Sequence, residues 1–123
     1  MLKFISIAIG GALGSLARYY LSNSTLKNFI YMEVPLAILI INIIGSFAFG
    51  ILMGLVESNI VVSNNIKNFL IFGFIAAFTT FSTFAWEALT LIHNEMYMKM
   101  IVYCLISVTL SIIFCCVGYH LGK

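Results

Sequence analysis

The sequence predicts an all-α membrane protein of four transmembrane helices, and three observations carry that prediction. Of its 123 residues, 63% are hydrophobic and only 8% are charged, whereas a soluble domain carries about 25% charged residues. Four apolar stretches alternate with short polar connections, and each is long enough to cross a bilayer. Four spans of roughly 20 residues use about 80 residues in all, which leaves room for connections but for no extramembrane domain. The chain is therefore read as a single transmembrane domain over residues 1–123, with its activity carried by the spans themselves.

That composition also removes function classes. No Ser/His/Asp arrangement, phosphate-binding loop or metal cluster is visible, so an enzyme is not expected. The formal net charge of +2 is too small for a nucleic-acid partner. Cys104, Cys115 and Cys116 lie in one apolar span without zinc-type spacing, and they read as small apolar side chains facing lipid or a neighbouring helix.

The first span is expected from about Phe4 to Leu21. Its start resembles a signal peptide, but Gly10, Gly11 and Gly14 interrupt the run, and no small-x-small cleavage site follows. Gly10 and Gly14 form a GxxxG pair that lets another backbone approach closely. Arg18 reads either as an anchor snorkelling to the interface beside Tyr19 and Tyr20 or as a positive charge at a pore mouth. Residues Ser22 to Glu33 form a polar connection, and Pro35 suits the first turn of the next helix. The second span, about Val34 to Val56, carries Asn42, Ser46, Gly50 and Gly54 on one face. Gly50 and Gly54 read as a helix–helix seam. A buried amide needs several partners, so Asn42 either glues helices or lines a polar path.

After a polar loop, Glu57 to Lys67, the third span runs from about Asn68 to Ile92. Its stretch from Asn68 to Trp86 carries no charge and centres on residue 77. Just beyond lie four hydroxyls in five residues, Thr79, Thr80, Ser82 and Thr83, interleaved with Phe78, Phe81 and Phe84. Such hydroxyls can satisfy backbone groups freed by a local break, and broken helices near the midplane recur at ion sites. A break in the third helix near the membrane midplane is therefore expected. Glu87 is either interfacial or faces a water-filled vestibule. A turn from His93 to Lys99 leads to the fourth span, about Met100 to Leu121. There Tyr103, Ser107 and Ser111 share one face, as hydroxyls bonding back to their own helix or as a polar rail replacing part of an ion's hydration shell.

The Lys/Arg count predicts orientation. Lys3, Lys67 and Lys123 fall on one side, and Arg18, Lys27 and Lys99 on the other. With no excess, the chain is expected to insert both ways and form an antiparallel, dual-topology dimer whose two-fold axis lies in the membrane plane. Carbonyls freed at the two breaks would meet on that axis, where they can bind a cation.

Three motifs then carry a resemblance that spans nearly the whole chain. Gly10-Gly11-Ala12-Leu13-Gly14 leading to Arg18-Tyr19, Asn42-Ile43-Ile44-Gly45-Ser46-Phe47, and Thr79-Thr80-Phe81-Ser82-Thr83-Phe84, in this order and at this length, resemble the Fluc (CrcB-type) fluoride channels. The resemblance implies a passive, fluoride-selective channel in the plasma membrane that exports fluoride from the cytoplasm and relieves its toxicity. It implies antiparallel dimers, of two copies or of paired paralogues, with two pores lined by both subunits. By position it assigns Phe81 and Phe84 to ring edges facing the ions, Asn42 to the pore, and Tyr103, Ser107 and Ser111 to a polar track. It also assigns the carbonyls of Ala76 and Thr79 to a structural sodium at the dimer centre. Fluoride is small and strongly hydrated, so it needs strong donors such as Asn42 and the Thr83 hydroxyl, while the positive edge of an aromatic ring can meet a partly dehydrated anion. Arg18 and Glu87 are expected at the vestibules. One departure stands out: Ala76-Ala77 occupies the place of the family's usual Gly-Gly. The alternative is a small four-span multidrug or cation exporter, also of dual topology. Such a transporter needs a carboxylate deep in the membrane, and the first span has none.

Overall fold

The computed structural model describes residues 1–31, 33–58 and 63–123. Four helical stretches are long and apolar enough to cross a membrane: Leu2–Thr25, Ala37–Glu57, Asn64–His93 and Tyr97–Gly122. Each agrees with an expected span to within a few residues, because a run of apolar side chains can only be solvated by lipid if its backbone satisfies itself as helix. The protein is thus a multi-pass membrane protein.

Helix α1 (Leu2–Tyr20) continues into a π-helical turn, Leu21–Thr25. A two-residue antiparallel ladder follows, with β1 (Ile30–Tyr31) pairing β2 (Val34–Pro35). This corrects the expected place of Pro35, which lies in the ladder opposite Ile30 rather than in the first turn of a helix. The Leu36 N–H donates to Phe29 O at 3.0 Å, closing the hairpin, so helix α2 begins only at Ala37 and ends at Glu57. The polar loop expected after it includes residues 59–62, which lie outside the described residues.

The third span is assembled from several pieces: α3 (Asn64–Lys67), a π-helical segment Asn68–Ile75, α4 (Ala76–Phe78) and α5 (Phe81–His93). Between α4 and α5, Thr79 and Thr80 have extended backbones, with ψ of 157° and 123°. The chain then turns into α6 (Tyr97–Gly122). That turn is a Schellman motif: Met96 N–H reaches Leu91 O and Glu95 N–H reaches Ile92 O, both at 2.9 Å, with Glu95 left-handed at φ 59°.

The spans pack as two parallel pairs. Gly10 and Gly14 of α1 lie against the backbone of Phe69, Gly73 and Phe74, so α1 runs alongside the third span. Gly50 and Gly54 of α2 lie against Cys115, Tyr119 and Gly122, while Gly118 and Gly122 of α6 lie against Phe47 and Ile51. The α2–α6 seam is therefore glycine on both sides, and the backbones approach as only small residues allow. Polar groups clasp its two ends. Lys99 Nζ meets Glu33 Oε2 at 2.5 Å at one end, and at the other Tyr119 and Lys123 both donate to Glu57, the lysine at 3.4 Å. Buried Ile38, Ile41 and Phe78 form one apolar cluster, and Leu39, Leu91 and Tyr103 form a second.

Candidate functional site

The extended pair Thr79-Thr80 is held by hydrogen bonds from side chains of its own segment and of α2. The Thr79 hydroxyl donates to Ile75 O at 3.0 Å, the last carbonyl that also receives the Thr79 N–H. The Thr80 hydroxyl caps α5 by accepting from Thr83 N–H at 3.3 Å, and it donates to Thr83 Oγ1 at 3.2 Å. Asn42, from α2, binds both polar groups of the Thr80 residue: Thr80 N–H donates to Asn42 Oδ1 at 2.9 Å, and Asn42 Nδ2 donates to Thr80 O at 3.0 Å. An unbroken helix would send Thr80 N–H to Ala76 O and Thr83 N–H to Thr79 O. Both donors are diverted, which leaves the Ala76 and Thr79 carbonyls without them.

Beside this pair lies an open groove of about 450 Å³ between α2, the third span and α6. Asn42, Ser46, Ala76, Thr79, Thr80, Phe81, Phe84, Ser107, Ser111 and Cys115 face it. Among the described residues, no acidic or basic side chain lines it. The sequence pattern of α2 thus splits: Asn42 and Ser46 open onto the groove, while Gly50 and Gly54 close the seam against α6. The Phe81 and Phe84 rings stand 5.4 Å apart, tilted by 47°. Phe81 is 77% exposed in the single chain, so apart from Phe84 its ring has little intramolecular cover. The Ser107 hydroxyl is buried and has no hydrogen-bond partner among the described residues.

Four expected site residues lie off the groove. Thr83 turns its hydroxyl to Thr80. Tyr103 is buried behind Phe84, with ring centroids 5.4 Å apart, and its phenol donates to the Glu87 carboxylate. Tyr103 and Glu87 therefore act as a cross-link between α5 and α6. Arg18 sits near the end of α1 and makes no ion pair among the described residues. Two groove residues lie outside the expected site set: Thr80, which the sequence offers only as one of four hydroxyls at the break, and Cys115, which it offers as a small apolar side chain. Cys115 continues the four-residue spacing of Tyr103, Ser107 and Ser111, a signal that was present. The role of Thr80 was hidden, because its partner Asn42 is 38 positions away.

Alanine at 76 and 77 introduces no strain. Ala76 has φ −61° and ψ −33°, and among the described residues the non-glycine positions with positive φ are Glu33 and Glu95, in the turns.

Comparison with known proteins completes the picture. The sequence profile of the family described as "CrcB-like protein, Camphor Resistance (CrcB)" matches residues 5–119. The chain is 38% identical over 117 residues to a "Fluoride-specific ion channel FluC" of Campylobacter fetus, covering 95% of this chain and 91% of that protein. A protein of the same description from Desulforapulum autotrophicum is 39% identical over 121 residues, covering 98% of this chain and 96% of its own. One from Ruminiclostridium cellulolyticum is 37% identical, covering 100% and 91%. With its four spans, its ordered motifs and a family match over nearly its whole length, the chain is a member of the CrcB family.

Proposed function

We propose that this protein is a passive, fluoride-selective channel that lets fluoride leave the cytoplasm and so relieves its toxicity. The observation that carries this reading is the groove: it is uncharged, with an amide, hydroxyls and two adjacent phenylalanines along one path. An anion in such a path meets donors without a fixed positive charge that would trap it, which suits passage rather than tight binding. Two donors of Asn42 are available on Nδ2 and Thr80 O takes one, so one remains for an anion. The Ser111 hydroxyl on α6 supplies another, one turn beyond the buried Ser107 hydroxyl, which has no hydrogen-bond partner among the described residues. The positive edges of Phe81 and Phe84 complete the path. Thr83 contributes through Thr80, and Tyr103 with Glu87 and Arg18 belong to the approaches. HF crosses membranes neutral and ionises inside, so the outward fluoride gradient drives export without an energy source.

The working unit of this reading is an antiparallel dimer of two copies, in the plasma membrane, with a paralogous partner as the other arrangement. The bare Phe81 ring supports a second chain over the groove. The charge balance supports dual topology. Glu33 pairs Lys99 and Glu57 pairs Lys123, which leaves Lys3 and Lys67 on one side against Arg18 and Lys27 on the other. The extended pair is read as the midplane break of the third helix, on the two-fold axis. The Ala76 and Thr79 carbonyls, relieved of their helix donors, fit a hard monovalent cation through neutral oxygen ligands. A structural sodium held by these carbonyls of both copies would tie the two breaks together.

The test is release of fluoride from liposomes loaded with potassium fluoride, started by a potassium ionophore and followed with a fluoride electrode, beside chloride-loaded controls. Rapid fluoride release without chloride release is expected, and Phe81→Ile should abolish it. Equal release of both ions would refute selectivity, and no release even on co-expression with a paralogue would refute the channel. An exporter of the small multidrug type finds no support, since among the described residues no carboxylate lines the groove to couple protons. A C-terminal tag should be accessible from both sides of the membrane, and access from one side only would sink the homodimer.

A further inference from the structure

Asn42 faces the groove and at the same time holds the backbone of the extended pair. We propose that Asn42 is a positioning residue for the cation site: by taking the Thr80 N–H, it keeps the Ala76 carbonyl free, and so joins the anion path to the carbonyls that hold the cation. For its cation arm the inference rests on the sodium reading above.

The geometry is specific. A side-chain amide offers an acceptor and a donor in one plane, the same pair that a peptide group offers. Asn42 uses both on a single residue, accepting Thr80 N–H at 2.9 Å and donating to Thr80 O at 3.0 Å. Thr80 is 7% exposed, so water does not compete for these groups. In the membrane an unpaired N–H is costly. If Asn42 is removed, the nearest acceptor for Thr80 N–H by helix geometry is Ala76 O, four residues back. The helix would then close at that point and the carbonyl would be lost to the cation. Thr80 Oγ1 plays the matching part for Thr79 O by taking Thr83 N–H at 3.3 Å. Its partner is local, however, and does not face the anion path from another helix. Asn42 alone couples the two, because Asn42 stands on α2 while both carbonyls stand on the third span.

Two substitutions separate the roles. Asn42→Leu removes both functions of the amide. Asn42→Asp keeps an acceptor for Thr80 N–H in either ionisation state, while its carboxyl alters the anion path. Fluoride flux should fall in both variants. The cation site should fail only in Asn42→Leu.

The chain itself supplies the reporters. It contains a single Ala–Ala peptide, Ala76-Ala77, and a single Thr–Thr peptide, Thr79-Thr80. Protein labelled with carbonyl-carbon and amide-nitrogen isotopes in alanine, or in threonine, therefore gives one isolated resonance pair for each. These report the Ala76 and Thr79 carbonyls and the Thr80 N–H in a reconstituted bilayer. Sodium replacing N-methylglucamine is expected to move both carbonyl resonances in the unsubstituted protein and in Asn42→Asp. In Asn42→Leu the Thr80 amide should shift, and the sodium needed for half the response should rise about tenfold or more. A Thr80 amide and a sodium response unchanged in Asn42→Leu would overturn the proposal. If that variant does not fold, loss of the sodium response in a dimeric Asn42→Asp overturns it equally. Carbonyls of the unsubstituted protein that ignore sodium would instead refute the cation reading, while a shifted Thr80 amide in Asn42→Leu would still establish the Asn42 clasp.

Discussion

Replacing Gly50 by alanine tests the packing that holds the groove open to its own depth. A Cβ at Gly50 would lie 2.8 Å from Tyr119 N and closer still to Cys115 O, where ordinary van der Waals contact begins at 3.4 Å. Both are backbone atoms, so no rotamer change relieves the overlap, and the closer one, Cys115 O, forces α6 to retreat by roughly 1 Å or more. A gap of about 1 Å forfeits about half of each dispersion contact along the rest of the seam. Overpacking of this kind costs about 1–3 kcal/mol. The gain from alanine over glycine inside a helix offsets about 0.5–1 kcal/mol, and an overlap this close belongs at the upper end of the overpacking range, so a net loss of about 2 kcal/mol is expected. The control is Gly11→Ala, whose Cβ meets nothing within 4 Å. There only the helical gain remains, and the sign reverses. Equilibrium unfolding in mixed detergent, followed by fluorescence of the sole tryptophan, Trp86, measures both. Because α2 carries Asn42 and α6 carries Ser107 and Ser111, parting the seam should also lower fluoride flux. A Gly50→Ala protein as stable as the parent would refute the reasoning, since it would mean that the two backbones are not in contact.

Three further outcomes are expected. Glu95 ends α5 in a left-handed conformation at φ 59°, which costs an ordinary residue roughly 1 kcal/mol, so Glu95→Gly should raise stability by about 0.5–1 kcal/mol in the same unfolding assay. Glu33 lies outside the spans, and the hydrogen bond and charge of Lys99 hold its carboxyl below the usual carboxylate range. A carboxyl with a lowered folded value contributes stability that is present above that range and lost as pH falls through the lowered value. Melting of the parent should therefore approach that of Glu33→Gln on acidification, and a pH-independent difference would count against the ion pair. Tyr103→Phe removes the donor to Glu87 but keeps the ring against Phe84. Flux should fall by about tenfold through loosening of the α5–α6 link, on the scale of one charge-assisted hydrogen bond, with the elution volume on size-exclusion chromatography unchanged.

Much of this protein is legible without its coordinates, for a physical reason. Transfer of a segment into lipid depends on the sum of its own side chains, so length and hydropathy alone determine the four spans. Helical spacing determines which residues share a face, so Asn42 with Ser46 and Ser107 with Ser111 were recognisable as polar rows. What spacing does not contain is the partner of each face. The GxxxG of α2 declared a seam, but only the parallel register of α2 and α6 revealed Gly118 and Gly122 as its other half. The same holds for Pro35, whose fate turned on Phe29 O capturing the Leu36 N–H. It holds most of all for Asn42, an open choice between helix glue and path lining in the sequence. In the structure its amide ties α2 to the third span and also borders the groove, because only the docking of α2 beside the third span brings it within hydrogen-bond reach of Thr80. Periodicity is a property of one helix, whereas a hydrogen bond between helices depends on the depth and rotation of two.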